Sequence, residues 1–148
     1  MIKIAIMGYG NLGRGVEAAA AKSGDVSLYG VFTKRAPETL KTATGAPVYS
    51  ASDVLFHKGK FDVLVICGGS ATDLPHQTPL YAKDFNVVDS FDTHANIPEH
   101  FAAVDASAKS GGNAAVISVG WDPGLFSLAR IYSESVLPNG NHYTFWGR

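Results

Sequence analysis

Gly8-Tyr9-Gly10-Asn11-Leu12-Gly13 spells G-x-G-x-x-G between a short apolar run and a stretch of helix formers. In that setting the first glycine permits a tight turn and the second lets the backbone approach a pyrophosphate. The third lets helix and strand pack closely. The pyrophosphate would rest on the helix N-terminus, against free N–H groups and the positive end of the dipole. At the end of the second apolar run, an NAD site would carry an Asp or Glu for the adenosine ribose hydroxyls. This chain has Thr33-Lys34-Arg35 there, and its next carboxylate is Glu38. A carboxylate would repel a 2′-phosphate, whereas a hydroxyl and two cations would bind it, Arg in bidentate fashion. These residues point to NADP.

Three further clusters follow apolar runs. Gly68-Gly69-Ser70-Ala71-Thr72-Asp73 offers small residues for close backbone approach to a coenzyme, with hydroxyls from Ser70 and Thr72. Ser70, Thr72 or Asp73 would also serve as a cap for the next helix, and the two roles are compatible. Ser90-Phe91-Asp92-Thr93-His94 and Gly120-Trp121-Asp122-Pro123-Gly124 bring two carboxylates, Asp92 and Asp122, towards the place of a nicotinamide ring. Carboxylates beside that uncharged ring suggest a cationic substrate group such as an ammonium. A helix cap competes for Asp122, because Asp-Pro is a common helix start, and a loop turn competes for Asp92. The five histidines show no metal-ligand spacing with one another or with Cys67, so no metal site is expected. His94 alone stands near the candidate site. Cys67 reads as a small buried hydrophobe.

The elements that must position these clusters are strands alternating with helices. Strands are expected at Ile2–Met7, Val26–Thr33, Asp62–Cys67, Asn86–Asp89 and Ala114–Val119. Helices are expected over Leu12–Lys22, about Thr78–Asp84, Pro98–Lys109 and from Asp122-Pro123 to about Val136. Residues 36–58 read as an irregular connection with a brief strand near Val48 and a short helix from Ser52. Such alternation implies an α/β fold, a doubly wound Rossmann-type parallel sheet covered on both faces. Ligands then bind beyond the carboxyl ends of the strands, where every cluster above lies. Residues 1–140 form the coenzyme domain in this reading. The terminal His142-Tyr143-Thr144-Phe145-Trp146 is an extra strand that leads elsewhere.

Composition narrows the classes. With 148 residues and nearly half of them apolar, the chain is long enough for one buried core. A formal net charge of −1 gives no reason to expect nucleic acid or a membrane surface as partner. A single cysteine excludes an internal disulfide framework, and a reducing cytoplasm fits.

Taken together, GYGNLGR at 8–14, CGGSATDLP at 67–75, VDSFDTH at 88–94, SVGWDPGLFS at 118–127 and HYTFWG at 142–147 resemble the meso-diaminopimelate dehydrogenases along the whole chain. The GWDPG-to-FWG pairing carries more of that resemblance than the glycine fingerprint does. The resemblance implies an NADP-dependent homodimer that oxidatively deaminates the D-centre of meso-2,6-diaminopimelate, a small diamino diacid, in bacterial lysine and cell-wall synthesis. Carried over by motif, Tyr9, Gly10, Asn11 and Leu12 would lie on the pyrophosphate, and Thr33, Lys34 and Arg35 on the 2′-phosphate. Ser70 to Asp73, Ser90, Phe91 and the turn Trp121-Asp122-Pro123-Gly124 would line the ribose and nicotinamide side. Asp92, Trp121, Asp122 and Trp146 would contact the substrate. The family is about twice as long, so residues 141–148 are expected to begin a crossover to a substrate and dimerisation domain beyond this chain. Two other readings stay open: an NADP-binding module without turnover, and a related reductase for another amino or oxo acid.

Overall fold

Strand β1 (Ile2–Met7) enters the centre of the molecule because its second half is apolar on both sides. Ala5 and Met7 join a larger core cluster while Ile6 joins a smaller one on the opposite face. Such two-faced burial is what a parallel sheet with helices on both sides requires. In the computed structural model, which describes residues 1–140, helix α1 (Asn11–Ala20) follows, then β2 (Val26–Thr33), β3 (Val48–Ser50) and β4 (Val63–Ile66). Helix α2 (Leu74–Ala82), β5 (Asn86–Asp89), α3 (Ile97–Gly111), β6 (Ala115–Val116) and α4 (Leu125–Val136) complete it. The six strands run in the order β3-β2-β1-β4-β5-β6, and every pairing is parallel. The order reverses between β1 and β4, so the ligand crevice of this doubly wound fold opens at their carboxyl ends.

The larger cluster gathers Phe32, Leu64, Ile66, Leu74, Phe85, Val87, Phe91 and Val104, tying α2 and α3 to one face. The brief strand near Val48 is β3. The short helix expected from Ser52 is a 3-10 turn over Ala51–His57.

The sequence reading departs from the structure at three places that bear on the site. Helix α2 begins at Leu74 rather than Thr78, with Pro75 in its first turn, where a missing N–H costs nothing. Pro79 inside it gives up one helical bond and does not end it. The strand expected over Ala114–Val119 shrinks to Ala115–Val116, because Ser118 turns left-handed at φ 60°. The last helix starts at Leu125 with Gly124 in the cap position, so Asp122 does not cap it. The terminal strand expected over 141–148, and with it Trp146 and His142, lies outside the described residues.

Candidate functional site

The β1–α1 turn is shaped by close approach. Gly8 sits at φ +95°, its N–H donates to the Phe32 carbonyl at 2.8 Å, and a Cβ there would meet the Cys67 carbonyl at 3.2 Å. A Cβ on Gly13 would lie 2.3 Å from the Gly8 carbonyl oxygen, so only glycine fits. Around Gly10 there is open space. The N–H groups of Asn11, Leu12 and Gly13 precede the first bond of α1, Arg14 N–H to Gly10 carbonyl at 3.1 Å, and the helix start carries no side-chain cap. They are the donors that an anion at a helix N-terminus takes up.

Tyr9 does not present its ring to this cradle. It is 4% exposed, and its hydroxyl donates to the buried Glu17 carboxylate. Glu17 also accepts from Thr44 N–H at 2.7 Å, Thr44 Oγ1 at 2.6 Å and Ala43 N–H at 3.2 Å. Burial pushes the Glu17 carboxyl upward, but these donors outweigh it and hold it below the ordinary value. Burial and the Glu17 hydrogen bond raise the Tyr9 hydroxyl. Only the Tyr9 backbone faces a ligand, and its carbonyl already accepts from Arg35 Nη2 at 2.7 Å.

Opposite the glycine turn, the end of β2 and the start of α2 share an open crevice of about 220 Å³ with Gly8, Gly10 and Gly69. Thr33 is buried, and its Oγ1 accepts from Arg35 N–H at 3.1 Å, which fixes the start of the basic loop. Lys34 Nζ donates to Asp73 Oδ1 at 2.7 Å. Asp73 Oδ2 accepts from Gly69 N–H at 2.9 Å, so this carboxylate closes the 69–73 loop rather than capping α2. The Lys34 ammonium, with the Gly69 N–H, holds the Asp73 carboxyl below the usual range. Ala71 and Thr72 are exposed, and Ser70 Oγ accepts from Asp92 N–H at 2.8 Å, joining this loop to the next. Gln77, one helical turn beyond Asp73, also lines the crevice, and its Oε1 is buried without a partner among the described residues. The sequence reading missed it; the i, i+4 spacing from Asp73 on a helix was the available signal.

At the far strand ends, Asp89 gathers two loops. Its Oδ2 accepts from Thr78 Oγ1 and His100 Nε2, each at 2.7 Å, and its Oδ1 from Ser118 N–H at 2.8 Å and Phe91 N–H at 3.1 Å. The Phe91 ring is 2% exposed and stacks on His100 at 4.2 Å, so it belongs to the core and offers a ligand only its backbone. Ser90 is half-buried beside it. Asp92 is exposed, and its carboxylate has no hydrogen-bond partner among the described residues.

Asp122 differs. Arg130, in the second turn of α4, donates to it at 2.9 and 2.5 Å and holds its carboxyl below the usual range. His94 Nε2 lies 3.2 Å from the Asp122 carbonyl, so the two acidic loops touch. Arg130 was invisible in the sequence reading, which placed Asp122 at the helix start. Trp121 is exposed, 5.7 Å from the Phe126 ring. Burial pushes the Cys67 thiol up to about 12, in keeping with a hydrophobe. Among the described residues no cluster of His, Cys, Asp and Glu is built to hold a metal ion.

A comparison with known proteins gives these positions relatives. The chain is 56% identical over 147 residues to the meso-diaminopimelate D-dehydrogenase of Ureibacillus thermosphaericus, a match that takes in 99% of this chain and 45% of the relative. Over the part it spans, this chain is related to the meso-diaminopimelate dehydrogenases. It spans less than half the length of the curated relatives it matches. The family profile described as the diaminopimelic acid dehydrogenase C-terminal domain matches residues 120–148. Two solved structures share the fold closely. A meso-diaminopimelate dehydrogenase of Corynebacterium glutamicum in complex with DAP is 46% identical with a TM-score of 0.85, over 99% of this chain and 44% of that one. An engineered D-amino acid dehydrogenase bound to NADP⁺ is 47% identical with a TM-score of 0.82, over 91% of this chain and 41% of that one.

Proposed function

We propose that this chain is the coenzyme half of an NADP-dependent meso-diaminopimelate dehydrogenase. The reaction would convert meso-2,6-diaminopimelate, NADP⁺ and water to L-2-amino-6-oxopimelate, ammonia, NADPH and a proton. The observation that carries the reading is a single crevice bounded by the glycine cradle on one side and Thr33, Lys34 and Arg35 on the other. The relatives' names and the NADP⁺ and DAP of the two solved structures support it.

The cradle fits the coenzyme. The N–H groups of Asn11, Leu12 and Gly13 hold its pyrophosphate, and the open space at Gly10 admits it. Thr33, Lys34 and Arg35 hold the 2′-phosphate. Gly69 to Asp73, the backbone of Ser90 and Phe91, and the Trp121–Gly124 turn bound the ribose and nicotinamide side. When bound, NADP⁺ supplies a hydride acceptor. The protein's part is to hold the D-centre against it and to leave water access to the carbon once the hydride has gone. Asp92, without a cation partner among the described residues, is the carboxylate that receives the substrate ammonium. Asp122, clasped by Arg130, is held rigid beside it and orients the reacting amine with Trp121 and Trp146.

The same reading makes residues 1–140 the coenzyme domain and 141–148 the start of a crossover to a substrate and dimerisation domain. The full-length protein would be a cytoplasmic homodimer. No helix among the described residues is long and apolar enough to cross a membrane.

The test is to mix the chain with NADP⁺ and meso-diaminopimelate and follow the absorbance of the reduced nicotinamide, with NAD⁺ and the L,L-isomer as controls. A signal with NADP⁺ and the meso isomer alone supports the dehydrogenase. NADPH binding without turnover favours a coenzyme module that needs residues beyond Arg148 to react. Binding of neither coenzyme overturns the reading.

A further inference from the structure

The crevice holds an anion of its own. The Asp73 carboxylate is fixed from both sides, by Gly69 N–H on Oδ2 at 2.9 Å and by Lys34 Nζ on Oδ1 at 2.7 Å. Lys34 is the more exposed partner, its side chain 68% exposed against 34% for Asp73. The two stand across the opening from one another, at the end of β2 and the start of α2, and both line the space between Gly8 and Arg35. A 2′-phosphate arriving at Thr33, Lys34 and Arg35 must draw Lys34 off Asp73 or share it. It must also come to rest near a fixed negative charge, well inside the Debye length of about 10 Å at 0.1 M salt. Nothing comparable opposes a coenzyme with a free 2′-hydroxyl.

We propose that Asp73 is a specificity-determining residue that works against the 2′-phosphate: it sequesters Lys34 in the free protein and so holds down the preference for NADP over NAD. The inference rests on the NADP reading above and deepens it. Arg35 is not subject to the same competition, since its guanidinium donates to the Tyr9 carbonyl and to no carboxylate among the described residues. Arg35 therefore supplies the phosphate's standing attraction, and the Lys34–Asp73 pair sets how much is added.

Asp73→Asn is the informative variant, because the amide oxygen still accepts from Gly69 N–H while the charge is gone. NADPH and NADH are titrated against the 148-residue chain by nicotinamide fluorescence. Asp73→Asn is expected to tighten NADPH about two- to fivefold, the range of an exposed ion pair, and to move NADH by less than about twofold. In a Lys34→Gln background the same change should shift NADPH by less than about twofold. If Asp73→Asn does not fold, as judged by circular dichroism, Asp73→Ser carries the test, since its hydroxyl also accepts. Weaker NADPH binding, equal tightening of both coenzymes, or an effect that persists without Lys34 overturns the proposal. NADPH binding with no response to Asp73 sinks this inference alone, while binding of neither coenzyme sinks the NADP reading with it.

Discussion

Around the first turn, Tyr9 and Glu17 are 4% and 1% exposed, and each polar side-chain atom they bury meets a partner from the 43–44 loop or from the other. From Ser118 to Val136, at the opposite end of the same sheet edge, no residue is buried at all. Leu125, Leu128, Ile131, Tyr132 and Val136 recur at helical spacing along α4 and are each more than half exposed. The coenzyme end therefore gets its geometry from contacts within the chain. The acidic end gets its geometry from a few polar ties, with Asp89, Arg130 and His94 in place of a core.

The largest expected effect lies where those ties converge. Asp89→Ala would leave Thr78, His100, Phe91 N–H and Ser118 N–H without their acceptor in a buried site. Orphaned buried donors cost about 1–3 kcal/mol each before relaxation, so a net loss of at least about 3 kcal/mol is expected in urea unfolding. A loss under about 1 kcal/mol would show that water replaces the carboxylate freely and that Asp89 does not organise the acidic loops.

That convergence also marks the limit of what the sequence discloses. Strands β1, β2, β4 and β5 were legible because burial of their central residues on both faces leaves short runs rich in apolar and β-branched side chains. The glycine fingerprint was legible because its meaning is local. The Asp89 and Glu17 networks were not, since, Phe91 N–H apart, the partners of Asp89 stand 11 to 29 residues away and those of Glu17 stand 8 to 27 away. Glu17 reads as one more helix former until Thr44 is seen folded over it. The start of α4 misled for another reason. Asp-Pro is a good helix opening in isolation, but here Gly124 takes the cap position, α4 begins at Leu125, and the Asp122 carboxylate bonds Arg130 instead of the helix N-terminus.

A smaller effect tests the closed end through pH. The folded Glu17 carboxyl lies below its ordinary value of 4.5, because Thr44, Tyr9 and Ala43 bond the ionised form. A group depressed in the folded state adds stability above its unfolded pKa and gives it up as pH falls through the folded one. Stability should therefore hold from neutral pH to about 5 and then decline as Glu17 takes up its proton. Glu17→Gln should flatten that decline while lowering stability at pH 7. Parallel acid limbs for the wild type and Glu17→Gln would mean that other carboxylates govern the decline.

The smallest effect is expected on α4, and it is the sharpest test of the contrast. Leu128 is 66% exposed, so replacing it with Lys removes little apolar area from any contact within residues 1–140. Substitutions of this kind usually stay within about 0.5 kcal/mol, and Lys is as good a helix former as Leu. Leu128→Lys in the 148-residue chain should therefore leave the unfolding midpoint and NADPH affinity almost unchanged. The same chemistry applied at Leu64 or Ile66, both fully buried, would not be tolerated. A loss of more than about 1 kcal/mol at Leu128 would mean that α4 is packed in solution, and the acidic end would then be held by a core of its own rather than by Asp89, Arg130 and His94.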